Sequence, residues 1–138
     1  MKNNETNNLK VGFVCGAFDI LHAGHIHLLK ECRKYCDKLV VGLNVDPSIE
    51  NKEKSKPVET LLERQIRLWG CRYVDQVVVY QKESELALMK DVFDIDVRFL
   101  GSDYAGGDKK ITDMGIPIEY INSVDIHTTG LRERIKNL

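Results

Sequence analysis

Short apolar runs separated by amphipathic stretches organise the chain from residue 9 onward. Val11 to Cys15, Lys38 to Leu43 and Gln76 to Tyr80 are brief, valine-rich and bounded by turn or charged residues. That is the pattern of strands covered on both faces. Val97 to Gly101 and Pro117 to Ile121 are two further strand candidates. Between the runs, apolar residues recur at helical spacing: Ile26, Leu28, Leu29, Cys32 and Tyr35, then Leu61, Leu62, Ile66 and Trp69. Leu86, Leu88, Met89 and Val92 mark a third helix, and Leu131 to Ile135 a last one. Strands alternating with helices imply βαβ crossovers and a parallel sheet. The expected fold is a single-domain, doubly wound (Rossmann-like) α/β structure with a five-stranded parallel sheet flanked by helices. Its site is expected at the carboxyl ends of the strands. Residues 1–8 contain four asparagines and no apolar period, predicting a flexible N-terminal tail before a domain at 9–138.

Composition narrows the function classes. The chain has 138 residues, is 30% charged and carries a net charge of −1, with none of the basic excess typical of nucleic-acid or membrane-surface partners. It shows no signal-peptide pattern and no apolar run long enough to cross a bilayer. The four cysteines, Cys15, Cys32, Cys36 and Cys71, form no CxxC pair, which fits a reducing, cytoplasmic setting. Cys32 and Cys36 share a helix face, but two ligands do not make a zinc site, and no protein-held metal is expected.

The chemistry-bearing segment begins where the first strand ends, at Gly16-Ala17-Phe18-Asp19-Ile20-Leu21-His22-Ala23-Gly24-His25. Gly16 lets a ligand approach the backbone closely. A helix starting near Gly24 would aim its free N–H groups at an anion. His22 and His25, three apart, would reach one phosphate group from the same side. Imidazole N–H donors stabilise charge that develops on a phosphate under attack, and histidine titrates near enough to neutrality to be charged beside a polyphosphate. A helix cap with a partly buried ring explains two histidines equally well, so position after a buried strand gives the motif its weight.

The segment GAFDILHAGHIHLL resembles the opening of the HxGH nucleotidyltransferase superfamily, and within it the cytidylyltransferases, nearest the glycerol-3-phosphate cytidylyltransferases. The resemblance spans about Val11 to Ile135. It implies transfer of CMP from CTP to a phosphorylated small alcohol, glycerol 3-phosphate favoured, with release of pyrophosphate. Gly16, Ala17, Phe18 and Gly24 would then touch the nucleotide. So would Gly101, Asp103 and Tyr104 of a GSDY turn, and Ile126, His127, Thr128 and Thr129 of a segment similar to the family's ISTTKIKE signature. His22 and His25 would be catalytic, with Thr128 and a lysine of the 52–56 loop holding the leaving phosphates. Alignment puts Ser55 at the usual lysine position, leaving Lys54 and Lys56 as equal candidates. Asp19, Arg64 and Arg72 would face the acceptor. The resemblance further implies Mg²⁺ held mainly through the nucleotide phosphates, and a homodimer.

Two departures bear on substrate. Ala17 replaces the family's threonine, and Asn122 stands where an arginine is usual. An adenylyltransferase acting on a sugar phosphate such as a heptose phosphate shares the HxGH chemistry. A nucleotide-binding module without catalysis, or a plain flavodoxin-like interaction domain, are the readings from other classes.

Overall fold

Each apolar run becomes a strand in the computed structural model, which describes residues 9–107, 111–122 and 128–138, and the backbone alone of Thr128 and Thr129. The expected tail at 1–8, Ile126 and His127 lie outside the described residues. The strands are β1 (Val11–Gly16), β2 (Lys38–Asn44), β3 (Gln76–Tyr80), β4 (Val97–Gly101) and β5 (Ile118–Ile121). The helices are α1 (Ala23–Arg33), α2 (Leu61–Trp69), α3 (Leu86–Val92) and α4 (Thr128–Lys136). All strand pairings are parallel, in the order β3-β2-β1-β4-β5. The chain therefore reverses its lateral direction between β1 and β4, which opens a crevice at their carboxyl ends. This is the expected single α/β domain with a five-stranded Rossmann-like sheet.

Burial alternates along the strands because the sheet is covered on both sides. Val14, Leu39, Val41, Leu43, Val97 and Phe99 pack under Leu29 and Cys32 of α1 and Leu68 of α2. Val11, Phe13, Val40 and Tyr80 face Leu86 and Met89 of α3, with Ile95 and Met114. The amino edge is fastened by aspartates that precede successive strands. Asp37, Asp75 and Asp96 accept the backbone N–H groups of Lys10, Leu39 and Val11 at 2.8, 2.8 and 2.7 Å, satisfying donors that a strand start would otherwise leave unpaired.

Helix α2 departs from the expected burial. Its sequence period is helical, but Leu62, Ile66 and Trp69 point outward, 59%, 55% and 59% exposed. The face turned to the core carries Leu68 and a charged residue, Arg64, only 2% exposed. Periodicity identifies a helix without identifying which side meets the sheet, and the guanidinium wins the inner position through bonds that an apolar chain cannot make.

Candidate active site

β1 ends at Gly16, and the loop to α1 turns through two non-glycine residues in left-handed backbone, Phe18 (φ 47°) and Ile20 (φ 49°). Such conformations cost about 1 kcal/mol or more each and persist where surrounding contacts hold them. Phe18 is held by burial and by its ring, 5.4 Å from that of His25. Ile20 is held by its N–H, which donates to Glu59 Oε1 at 2.7 Å. Asp19 between them accepts from the N–H groups of Val58 and Glu59, at 2.8 and 2.9 Å. The loop is thereby tied to the segment before α2.

His22 is the N-cap of α1 and His25 its third residue, and the two form a reciprocal capping box. His22 Nδ1 accepts the Gly24 N–H at 3.1 Å, and His25 Nδ1 accepts the His22 N–H at 3.2 Å. A ring nitrogen that accepts a backbone N–H carries no proton, so each neutral imidazole bears its hydrogen on Nε2. The rings stack with centroids 3.9 Å apart. The helix-cap explanation of this pair therefore holds: the δ nitrogens cap the helix, and the hydrogens are left on the ε nitrogens.

The expectation of a charged histidine does not hold for His25 in the unliganded protein. Burial first, and the neighbouring His22 second, push its pKa from 6.5 down to about 4, against the opposing pull of Asp19. A depressed base means the unfolded chain binds more protons between these two values. The stabilisation from neutral His25 is therefore complete above pH 6.5 and is lost as pH falls toward 4. A His25→Gln variant should show a flatter urea-midpoint profile across this window than the wild type. Parallel profiles would show that the imidazole is not held neutral by burial.

The cleft beside the pair measures about 260 Å³ and is lined by Ala17, Phe18, Asp19, His25, Ser55, Lys56, Pro57 and Arg132. Of the two lysine candidates Lys56 lines it, together with Ser55, whereas Lys54 is exposed and not among the lining residues. Arg132 comes from the first turns of α4 and donates to Asp19 Oδ2 at 3.2 Å. It was not among the residues singled out from sequence. Its signal was present, since it lies four residues after Thr128 and so on the same side of the helix. Gly101 ends β4, and Asp103 and Tyr104 follow it in a 3-10 turn at the same edge of the sheet. A Cβ on Gly101 would meet Asp103 Oδ1 at 2.6 Å, so a side chain there would expel the carboxylate.

Arg64 and Arg72 occupy different settings. Arg64 donates to the carbonyls of Ala17 (3.1 Å), Asn44 (2.6 Å), Val45 (2.6 Å) and Glu59 (3.3 Å). Its donors are spent on backbone from three segments around the cleft. Arg72 is exposed over the ring of Tyr73 at 5.5 Å, in the loop entering the amino end of β3, the edge of the sheet away from the histidines. Within the chain the structure does not bring it to them. The described part of the protein contains no group of three or more His, Cys, Asp or Glu side chains that could hold a metal ion, and no helix long and apolar enough to cross a membrane.

Comparison with known proteins fits this geometry and corrects the substrate. The bifunctional protein HldE of Granulibacter bethesdensis is 39% identical over 94% of this chain, and that of Campylobacter curvus 36% over 93%. The chain spans only 28% of the length of either relative. A solved structure described as a lipopolysaccharide core biosynthesis protein from Thermoplasma volcanium superposes with a TM-score of 0.65 at 28% identity, covering 86% of this chain and 99% of that one. These relatives overturn the expected glycerol-3-phosphate cytidylyltransferase, and with it CTP and a small phosphorylated alcohol as the substrate pair. The expectation failed for a physical reason. The HxGH motif is common to nucleotidyltransferases that use different bases and acceptors, so it carries no information about either. The enzyme class stands at the coarser level: residues 13–114 match the cytidylyltransferase-like family model, and the chain is a nucleotidyltransferase-type domain belonging to that family.

Proposed function

We propose that this domain is an adenylyltransferase that joins AMP from ATP to a heptose phosphate and releases pyrophosphate. The observation that carries the reading is the His22–His25 pair, both Nε2–H donors fixed at the start of α1, beside a cleft that also holds Lys56 and Arg132. The similarity to HldE-type proteins and to a lipopolysaccharide core biosynthesis protein supports a heptose phosphate and ATP.

A phosphate oxygen of the acceptor attacks the α-phosphorus in line while pyrophosphate departs opposite. The acceptor is ionised near neutrality and needs no strong base, so catalysis is positioning and charge stabilisation. His22 and His25 donate to the α-phosphate oxygens, and these bonds strengthen as charge gathers in the transition state. Lys56, Arg132 and the start of α4 at Thr128 and Thr129 hold the leaving phosphates. Arg132 provides a cation that the family arginine, absent at Asn122, would otherwise supply. Gly16, Ala17 and Gly24 allow close approach of the chain, and Gly101, Asp103 and Tyr104 take the ribose and base. Asp19 and Arg64 act on the acceptor side by fixing the loops that frame it. Mg²⁺, if bound, would be held chiefly by the nucleotide's own phosphates, since the described residues include no cluster of metal-ligating side chains, and would offset their charge. The free thiols of Cys15, Cys32, Cys36 and Cys71 support a cytoplasmic setting for this chemistry.

The test is a pyrophosphate-release assay run as a matrix of four nucleotides against hexose, heptose and glycerol phosphates. ATP with a heptose phosphate is expected to give product. ATP at a hundred times its Kd should also stabilise the fold by about 2.7 kcal/mol, and CTP should not. Stabilisation by CTP alone would remove the adenylyl assignment, and nucleotide binding without pyrophosphate from any acceptor would favour the non-catalytic module.

A further inference from the structure

A buried charge lies on the opposite face of the sheet from the histidine pair. Arg98 of β4, opposite Phe13 of β1, is 5% exposed. Its layer is otherwise apolar, with Phe13, Val40, Leu86 and Met114, so a leucine would pack there at no electrostatic cost. Nη1 donates to the Thr112 carbonyl at 2.6 Å, and Nη2 meets only the soft Cys15 sulfur at 3.4 Å. Nε is buried without a hydrogen-bond partner. Among the described residues no carboxylate forms an ion pair with it. An uncompensated buried guanidinium costs several kcal/mol in general, and weak acceptors do not repay that.

Beyond that apolar layer the guanidinium end meets the Thr112 carbonyl and the Cys15 sulfur, and further polar side chains stand at the carboxyl ends of β2 and β3. Thr112 donates its hydroxyl to Glu83 Oε2 at 3.1 Å. The Tyr80 hydroxyl lies close to Cys15 and the Asn44 side chain. Cys15 immediately precedes Gly16, where β1 gives way to the histidine loop, so the Arg98 guanidinium reaches the carboxyl end of β1 from the opposite face. In-line displacement places the nucleophile and pyrophosphate on opposite sides of the α-phosphorus. With Lys56 and Arg132 assigned to the leaving group, an acceptor on the opposite side would extend over Gly16 toward Arg98 and Glu83.

Resting on the adenylyltransferase reading, we propose that Arg98 and Glu83 select the acceptor by binding hydroxyl groups of its sugar body. Arg98 Nη2 exchanges the Cys15 sulfur for a hydroxyl oxygen, and Glu83 accepts a hydroxyl hydrogen. A carboxylate beside the cation turns away a second phosphate and suits a polyol, since a diol offers both an acceptor and a donor. Glu83 and Arg98 are binding residues at which the sugar is distinguished from a shorter acceptor such as glycerol phosphate.

The test uses the full chain with Glu83→Gln, Arg98→Lys and Arg98→Met. In Glu83→Gln and Arg98→Lys, KM for the sugar phosphate should rise about tenfold or more, while KM for ATP and the melting temperature stay near wild type. The Glu83→Gln penalty should shrink with a deoxy sugar phosphate that lacks the contacted hydroxyl. Unchanged acceptor KM in both variants, or equal rises for acceptor and ATP, would overturn the proposal. Should Arg98→Met fail to fold, Glu83→Gln decides. Calorimetric titration with a heptose 1-phosphate separates this inference from its parent. Binding weakened by Glu83→Gln without wild-type turnover keeps the sugar site and sinks the transferase reading. Wild-type turnover with a Glu83→Gln acceptor affinity equal to wild type does the reverse, and neither binding nor turnover sinks both.

Discussion

His22→Asn is expected to reduce turnover by about a hundredfold to a thousandfold while leaving the melting temperature nearly unchanged, because asparagine can cap a helix but has no Nε2–H to offer an α-phosphate. His22→Ala should lose the same turnover and in addition about 1 kcal/mol of stability with the cap. His25→Gln completes the comparison, since glutamine at the third helical position restores the return bond of the capping box. Urea denaturation and single-turnover kinetics on the three proteins separate the two functions of each ring. Full activity in His22→Asn would show that the pair is a helix start and nothing more.

The largest stability effect is expected at Arg64. Its guanidinium serves the carbonyls of Ala17, Asn44, Val45 and Glu59, and desolvation lowers its pKa against the opposing pull of Asp19, Asp46 and Glu59. Arg64→Met has the right bulk for the interior but leaves those acceptors without donors. A loss of about 3–5 kcal/mol follows from breaking a buried charged network, lowering the melting temperature by roughly 10 °C or more. Arg64→Lys should recover only part, because an ammonium cannot span four carbonyls in the plane of a guanidinium. Thermal melts read the result directly, and a Met variant as stable as wild type would show that these bonds carry no net stability.

The elements and the sheet were legible in the sequence because buried parallel strands write themselves as short valine-rich runs: Val11 to Cys15 predicted β1 to within one residue. The histidine pair was legible too, as spacing at a strand-to-helix junction. Three things were not. The inward position of Arg64 on α2 is invisible to periodicity, which favoured Leu62, Ile66 and Trp69 for burial. The spacing of Arg132 from Thr128 gives its side of α4, but its place in the cleft depends on how α4 packs against the Asp19 loop, a long-range contact. Acceptor identity was misread because the phosphate-handling residues repeat across relatives that differ in base and sugar. Arg98 and Glu83, proposed above to tell sugars apart, belong to no short motif.

The capping geometry of the two imidazoles has a chemical corollary. With each δ lone pair occupied by a backbone N–H, neither ring can take a proton from an incoming nucleophile. Water and neutral alcohols, which must shed a proton to attack, gain no help from the pair, whereas a phosphate dianion arrives ready. In the proposed reaction, the same bonds that start the helix would guard the nucleotide against wasteful hydrolysis and restrict attack to partners that bring their own negative charge.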